Sequence, residues 1–203
     1  MPVFFQQQIN ETTRLGIWKI EETEGFFKGN VPVHREVTHP HKRLQHLAGR
    51  FLLQFLFPDF PYELIQIADT RKPFLPGEQY HFSISHCGDY AAAIVSKTHR
   101  VGIDIEIPVE KIGRIMYKYL SAKEHELFNL IPGTESETMH LEEPTLLWSA
   151  KESVFKWYGN GAIDFRKQIQ LLRQHEGSET IDCFFSKDDS ELVIHYHQFE
   201  GLV

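Results

Sequence analysis

The stretch His81-Phe-Ser-Ile-Ser-His-Cys-Gly-Asp-Tyr-Ala-Ala-Ala-Ile-Val-Ser96 decides the fold class. Two short β-prone runs, 81–85 and 90–96, flank a turn at Cys87-Gly88-Asp89, which reads as an antiparallel hairpin. Upstream, Leu44, Leu47, Ala48, Phe51, Leu52 and Phe55 recur at helical spacing, predicting a helix from about His41 to Phe57. Pro40 opens it and Pro58 stops it, and Arg43, His46, Arg50 and Gln54 fall on its polar face. Further strands are expected around Leu15–Ile20 and Ile65–Ala68, with a turn-rich loop over 71–77.

Downstream, Val101-Gly-Ile-Asp-Ile-Glu-Ile107 alternates as a strand, and a helix follows from about Lys111 to Leu120. Ser121 with Glu124 three residues later has the form of a capping box. The polar segment 131–144 reads as a mobile connection. A helix from Pro144 to Trp157 ends at Gly159-Asn-Gly161. Runs at 169–172, 180–185 and 191–197 complete the chain as antiparallel strands. Helices beside a few strands in each half give an α+β protein of two similar lobes, divided as 1–100 and 101–203.

Composition narrows the function. The 203 residues, 41% hydrophobic with 16 Phe, exclude a disordered chain. No apolar run approaches the ~20 residues of a membrane span, and the first residues lack a basic-then-apolar signal, so a cytoplasmic protein without membrane attachment is expected. Two cysteines make neither a disulfide framework nor a zinc pattern. With 21 basic against 28 acidic residues, a net charge of −7 argues against nucleic acid as partner. The average hides a pattern. Between Lys28 and Arg50 lie five basic residues, four histidines and one acid. Between Val101 and Glu152 lie ten acids and five bases. Either charge has clumped on the surface, or the chain serves an anion and a cation together.

Three constellations carry chemistry. On a strand, Gly102, Asp104 and Glu106 share one face, and two neighbouring carboxylates either lie solvated or hold a hard cation such as Mg²⁺. In Trp148-Ser-Ala-Lys-Glu-Ser-Val-Phe-Lys156, Glu152 lies within a turn of Trp148 and Phe155, with Lys156 its i+4 neighbour. That is a surface ion pair, or a carboxylate that needs a buried partner. Ser83, Ser85 and His86 sit at a strand end, where ordinary hairpin hydrogen bonds also explain them. There is no nucleophile elbow and no Walker or dinucleotide fingerprint, and Cys87 faces away from His86.

In order and separation, Lys72-Pro73, Ser83-Ile-Ser-His86, Gly102-Ile-Asp-Ile-Glu106 and Trp148-Ser-Ala-Lys-Glu-Ser153 resemble the 4′-phosphopantetheinyl transferases, in particular their larger, monomeric, Sfp-type branch. The resemblance spans about residues 40 to 161. It implies two pseudo-duplicated α+β halves with the active site in the cleft between them. It also implies transfer of the 4′-phosphopantetheine arm of coenzyme A to a serine of an acyl or peptidyl carrier protein, with release of 3′,5′-ADP. By motif, Asp104, Glu106 and Glu152 correspond to the Mg²⁺ ligands. Lys156 corresponds to a diphosphate contact, and Lys72, Ser85 and His86 to contacts with the adenosine and phosphate end. Leu47-Ala-Gly-Arg50 resembles the end of the family's basic helix, which points to Arg43, and also Arg50, for the 3′-phosphate. Glu152 or Glu124 would accept the serine proton. Arg71 departs from the pattern, standing where the family often has Gly. Lys111, Arg114 and Lys118 form a basic stripe, with Ile112, Ile115 and Tyr119 as its apolar side, suited to an acidic carrier or simply to solvent. The alternatives are a metal-dependent phosphohydrolase or nuclease, and a non-catalytic coenzyme A or carrier-binding module.

Overall fold

The computed structural model describes residues 3–31, 37–130 and 141–203. Arg35 of the basic stretch lies outside the described residues, as do residues 131–140 of the connection expected across 131–144, whose last three residues are instead helical. The chain forms two compact units. The first comprises Met1–Ile105 with Phe155–Gly161, and the second Glu106–Val154 with Ala162–Val203. Helices beside antiparallel sheets make the protein α+β.

In the first unit, β1 (Val3–Asn10), β2 (Thr13–Lys19), α1 (Glu24–Lys28), α2 (Pro40–Leu56), β3 (Gln66–Ile67), β4 (Pro73–Phe74), β5 (His81–Cys87) and β6 (Tyr90–Ser96) follow in order. The main sheet runs β1-β2-β6-β5, every neighbour antiparallel. The expected hairpin is β5–β6. Cys87 pairs with Tyr90, and Gly88 takes a positive φ of 47° at the first position of a two-residue turn, where glycine costs least. Helix α2 packs on β2, β5 and β6 and buries Leu47, Ala48, Leu52, Leu53 and Leu56 with Trp18, Phe82, Ala91, Ala93 and Val95. Gly49 is required there, because a Cβ would run into the Ile84 side chain. The first strand, β1, has no expectation to match: Val-Phe-Phe-Gln-Gln-Gln-Ile-Asn does not alternate cleanly, and pairing with β2 makes it a strand.

Between β3 and β4 the chain closes a short hairpin. Arg71 N donates to Ala68 O at 2.8 Å, and Arg71 itself sits at φ 66°. A turn followed by a left-handed residue is a regular three-residue hairpin connection, and that position favours glycine. The departure from the family pattern at Arg71 therefore falls on a backbone conformation that a side chain resists.

Two expectations need correction. Val101–Ile107 is extended but is not a β-strand. Its partners on β5 are serine side chains rather than a backbone ladder: Ser83 Oγ accepts from Ile103 N at 3.2 Å and Ser85 Oγ from Ile105 N at 3.3 Å. The helix expected over Lys111–Leu120 is two short ones, α3 (Glu110–Arg114) and α4 (Met116–Tyr119), broken at Ile115 where φ −102° and ψ 8° leave the helical region. Ile112 and Tyr119, which a continuous helix would also have placed on one face, are both buried, and nothing in the structure explains the break.

The second unit continues with α5 (Ala122–Leu127), α6 (Glu142–Tyr158), α7 (Phe165–Gln168) and the antiparallel strands β7 (Ile169–His175), β8 (Thr180–Phe185) and β9 (Ser190–His195), in the order β7-β8-β9. All three expected strands are present; β8 has the expected bounds, β7 runs three residues beyond the expected 169–172, and β9 ends two residues short of 197. Helix α6 starts two residues before Pro144, which the first turn tolerates. It ends at Gly159, whose φ is 76°. The unit buries Tyr119, Leu146, Leu147, Ile169, Leu171, Ile181 and Phe185. Its C-terminus is tied in by a reciprocal pair of hydrogen bonds between Glu106 and Val203, 2.8 and 2.9 Å.

Candidate functional site

The serines of β5 build the first part of the site. Besides holding Ile105, Ser85 Oγ donates to Asp104 Oδ1 at 2.7 Å and accepts from Lys156 Nζ at 2.7 Å. Lys156 also reaches Asp104 Oδ1 at 2.5 Å. The Asp104 side chain is only 3% exposed. Its other oxygen, Oδ2, is buried and has no hydrogen-bond partner among the described residues. A carboxylate oxygen taken out of water without a donor costs about 1–3 kcal/mol, so this atom marks a place suited to a donor or a cation. Of the sequence candidates, Ser85, Asp104 and Lys156 are thus brought together.

Neighbouring His86 is half-buried and lies edge-to-face with His46 of α2, ring centroids 5.3 Å apart. Burial, reinforced by the Lys156 charge, pushes its pKa below the usual 6.5. At neutral pH it offers a hydrogen bond rather than a charge.

The anion candidates are occupied differently. Arg43 forms a two-point ion pair with Glu24, Nε to Oε1 at 2.7 Å and Nη2 to Oε2 at 2.8 Å, and donates to Val37 O at 2.7 Å. Arg43 and Lys28 together hold the Glu24 carboxyl down at about 2. Lys72 donates to Lys156 O at 2.6 Å, and Thr70 Oγ1 to Gly159 O at 3.2 Å. The β3–β4 hairpin therefore supplies donors to the C-terminal end of α6, where carbonyls lack helical partners. Burial pushes the Lys72 ammonium down, with Arg100 adding to the effect. The Arg50 carbonyl accepts from the Tyr62 hydroxyl, while its side chain is half-buried.

In the second unit, Trp148 stands edge-to-face on Tyr119, centroids 5.0 Å apart, and leans on Phe165. Its indole N–H donates to Glu106 Oε1 at 3.1 Å. The sequence places Trp148 beside Glu152. The structure gives its polar atom to Glu106, and Glu152 is half-buried further along α6. Among the described residues, no three His, Cys, Asp or Glu form a group that could hold a metal ion.

Glu124, the other candidate proton acceptor, is tied into the framework. The capping box is formed: Glu124 Oε2 accepts from Ser121 N at 2.7 Å and from Ser121 Oγ at 2.8 Å. Oε1 accepts from Leu171 N at 3.0 Å and pairs with Lys151 Nζ at 2.6 Å. Both oxygens are committed. Lys151 is the residue that the sequence reading passed over. Its side chain is wholly buried. The signal was present, since Lys151 lies four residues after Leu147 and three before Val154, on the buried stripe of α6.

Comparison with known proteins gives the following. The family model described as "4'-phosphopantetheinyl transferase superfamily" matches residues 100–201, half of the chain. Enterobactin synthase component D of Escherichia coli (strain K12) is 36% identical over 118 residues, covering 57% of this chain and 54% of that protein. The 4'-phosphopantetheinyl transferase AcpT of Escherichia coli O157:H7 is 30% identical over 125 residues, 60% of each chain. The L-aminoadipate-semialdehyde dehydrogenase-phosphopantetheinyl transferase of Xenopus laevis is 30% identical over 133 residues, 57% of this chain and 43% of that one. The chain spans about half the length of the curated relatives it matches. No helix among the described residues is long and apolar enough to cross a membrane.

Proposed function

Because the chain belongs to the 4′-phosphopantetheinyl transferase superfamily, we propose that it transfers the 4′-phosphopantetheine arm of coenzyme A to a serine of an acyl or peptidyl carrier protein and releases 3′,5′-ADP. The observation that carries this reading is the Ser85–Asp104–Lys156 cluster, in which one Asp104 oxygen is held by Lys156 and Ser85 while the other is buried without a donor among the described residues. A diphosphate with its counter-cation needs fixed cationic and anionic groups at one place.

The carrier serine oxygen forms a new bond to the phosphorus nearest the pantetheine, the bond from that phosphorus to the ADP oxygen breaks, and the serine proton passes to a carboxylate. Glu152 is the proposed acceptor, since both oxygens of Glu124 are committed. The Lys156 ammonium, fixed by Asp104 and Ser85, takes up charge developing on the diphosphate oxygens. His86, neutral at pH 7, donates to a phosphate oxygen, and Arg43 and Arg50 are the proposed partners of the 3′-phosphate. By the family resemblance Asp104, Glu106 and Glu152 would be the Mg²⁺ ligands, hard oxygen donors of the kind that ion takes; the buried Asp104 Oδ2, without a hydrogen-bond partner among the described residues, supports this for Asp104. Mg²⁺ would neutralise negative charge on the leaving diphosphate. The basic residues Lys111, Arg114 and Lys118, all exposed, are proposed to meet an acidic carrier.

Incubation with coenzyme A, Mg²⁺ and an apo carrier, followed by weighing of the carrier, tests the reading. A phosphopantetheine-sized mass gain is expected. Loss of coenzyme A without gain on the carrier would point to a phosphohydrolase, and binding without either would point to a non-catalytic module. Lys156→Ala is expected to lower kcat about 10²–10³-fold, and Asp104→Ala to abolish transfer.

A further inference from the structure

Lys151 and Glu124 form a deeply buried ion pair that the transfer chemistry does not use, their side chains 0% and 3% exposed. A pair this deep gains little net stability, because desolvation of both charges offsets most of their attraction. What it supplies is geometry. The three ammonium protons of Lys151 have three acceptors: Glu124 Oε1 at 2.6 Å, Phe165 O at 2.9 Å and Ile169 O at 2.7 Å. Glu124 in turn holds Ser121 at the start of α5 and Leu171 N in β7. One point on α6 is thereby tied to α5, to both ends of α7 and to β7. A helix held in three directions at residue 151 can neither rotate nor slide there. The next residue is Glu152, and three residues earlier Trp148 holds Glu106.

We propose that the Lys151–Glu124 pair is a positioning device that sets the rotation of α6, and through it the directions in which Glu152 and the Trp148-held Glu106 are presented to a divalent cation. The inference rests on the reading of Glu106 and Glu152 as metal ligands. Neither Lys151 nor Glu124 touches substrate; each acts through its neighbours on α6. Groups that orient metal ligands in this way change metal affinity or activity about 10–100-fold when altered.

The test uses the full chain carrying Glu124→Gln, which can keep the capping box through its oxygen because glutamine also serves at that position, but turns an amide NH2 toward Lys151 and Leu171 N in place of the carboxylate oxygen they share. Thermal unfolding establishes that the variant is folded at the assay temperature. Mn²⁺ binding is then measured by calorimetry in the absence of coenzyme A, with tryptophan emission and transfer kinetics alongside. Expected are a Mn²⁺ Kd raised at least about tenfold, a comparable fall in kcat, an unchanged KM for coenzyme A, and a shifted emission. The shift should vanish when Trp148 is replaced by Phe in the same background. A folded variant whose Mn²⁺ affinity and kcat equal those of the parent overturns the proposal and makes the pair merely structural. A fall in kcat with Mn²⁺ affinity intact also overturns it, in favour of Glu124 as the proton acceptor. If Glu124→Gln does not fold, Lys151→Met/Glu124→Gln, which leaves no charge buried, is judged by the same outcomes. A parent protein that neither binds Mn²⁺ nor modifies a carrier sinks the functional reading, and the positioning role with it. A parent that does both while the variant matches it sinks the positioning role alone.

Discussion

Arg43 shows how much a single side chain's meaning depends on its partner. The resemblance of Leu47-Ala-Gly-Arg50 to the end of the family's basic helix made it a phosphate candidate, and nothing local announced Glu24, nineteen residues earlier, as the group that takes the Nε–Nη2 edge of its guanidinium. A phosphate would have to compete with that carboxylate for the same fork. Glu24→Gln removes the competing charge and leaves the shape. If Arg43 serves the 3′-phosphate, the variant should bind coenzyme A several-fold more tightly, about 1 kcal/mol, and 3′-dephospho-coenzyme A no better than before. Equal affinity of parent and variant for coenzyme A, measured by calorimetry, would assign Arg43 to the framework. Glu124 and Lys151 teach the complementary lesson. The capping box was legible because its residues lie three apart. The bonds from Lys151 to residues 14 and 18 positions away depend on tertiary packing, which no local pattern encodes.

Among the elements, those with strong periodicity and clear punctuation were legible: α2 between two prolines, the β5–β6 hairpin, α6 and its glycine stop, and β7 to β9. The segment 101–107 was misread because alternation of side chains is a property of any extended chain, whether or not its backbone finds a ladder partner. Here the serines of β5 substitute for that ladder, and Ser83 has no other role in the structure described. Ser83→Ala should leave Ile103 N without its acceptor beside the sheet, costing about 1–3 kcal/mol, read as a lowered denaturation midpoint at constant m. A loss below about 0.5 kcal/mol would mean that water replaces the hydroxyl. The break between α3 and α4 similarly changes the basic stripe. Lys111 and Arg114 lie in one short helix and Lys118 in the next, and Arg114 is paired with Glu110 at 2.6 Å. Charge reversal at Lys118, which makes no such pair among the described residues, should therefore raise KM for an acidic carrier more than reversal at Arg114, with KM for coenzyme A unchanged in both. Such rim charges act through steering, so the difference should shrink as salt is added. Equal effects at the two positions, or effects on coenzyme A, would reject this surface as the docking site.

At the scale of the whole molecule, the net charge of −7 says little about what any one place attracts, but it does bear on the protein's response to acid. At low pH the 28 acidic residues lose their charge while 21 basic residues and 12 histidines carry theirs, so repulsion grows and ion pairs disappear together. Glu24 is the carboxylate whose part in this can be dated. Hydrogen bonds from Arg43, then Lys28, hold it at about 2 in the folded chain, against an ordinary value of 4.5. Because the folded value is the lower one, the unfolded chain binds more protons between the two. The stabilisation contributed by Glu24 is therefore complete above about pH 4.5, declines as pH falls through that window, and is gone below about 2. Urea denaturation followed between pH 2 and pH 6 should show the unfolding free energy of the parent falling more steeply through this window than that of Glu24→Gln. The two curves should converge at the acid end, since only there are both side chains neutral. Parallel curves would mean that the Glu24–Arg43 pair persists in the unfolded chain or is screened by solvent, and that Arg43 is free for an anion at little cost.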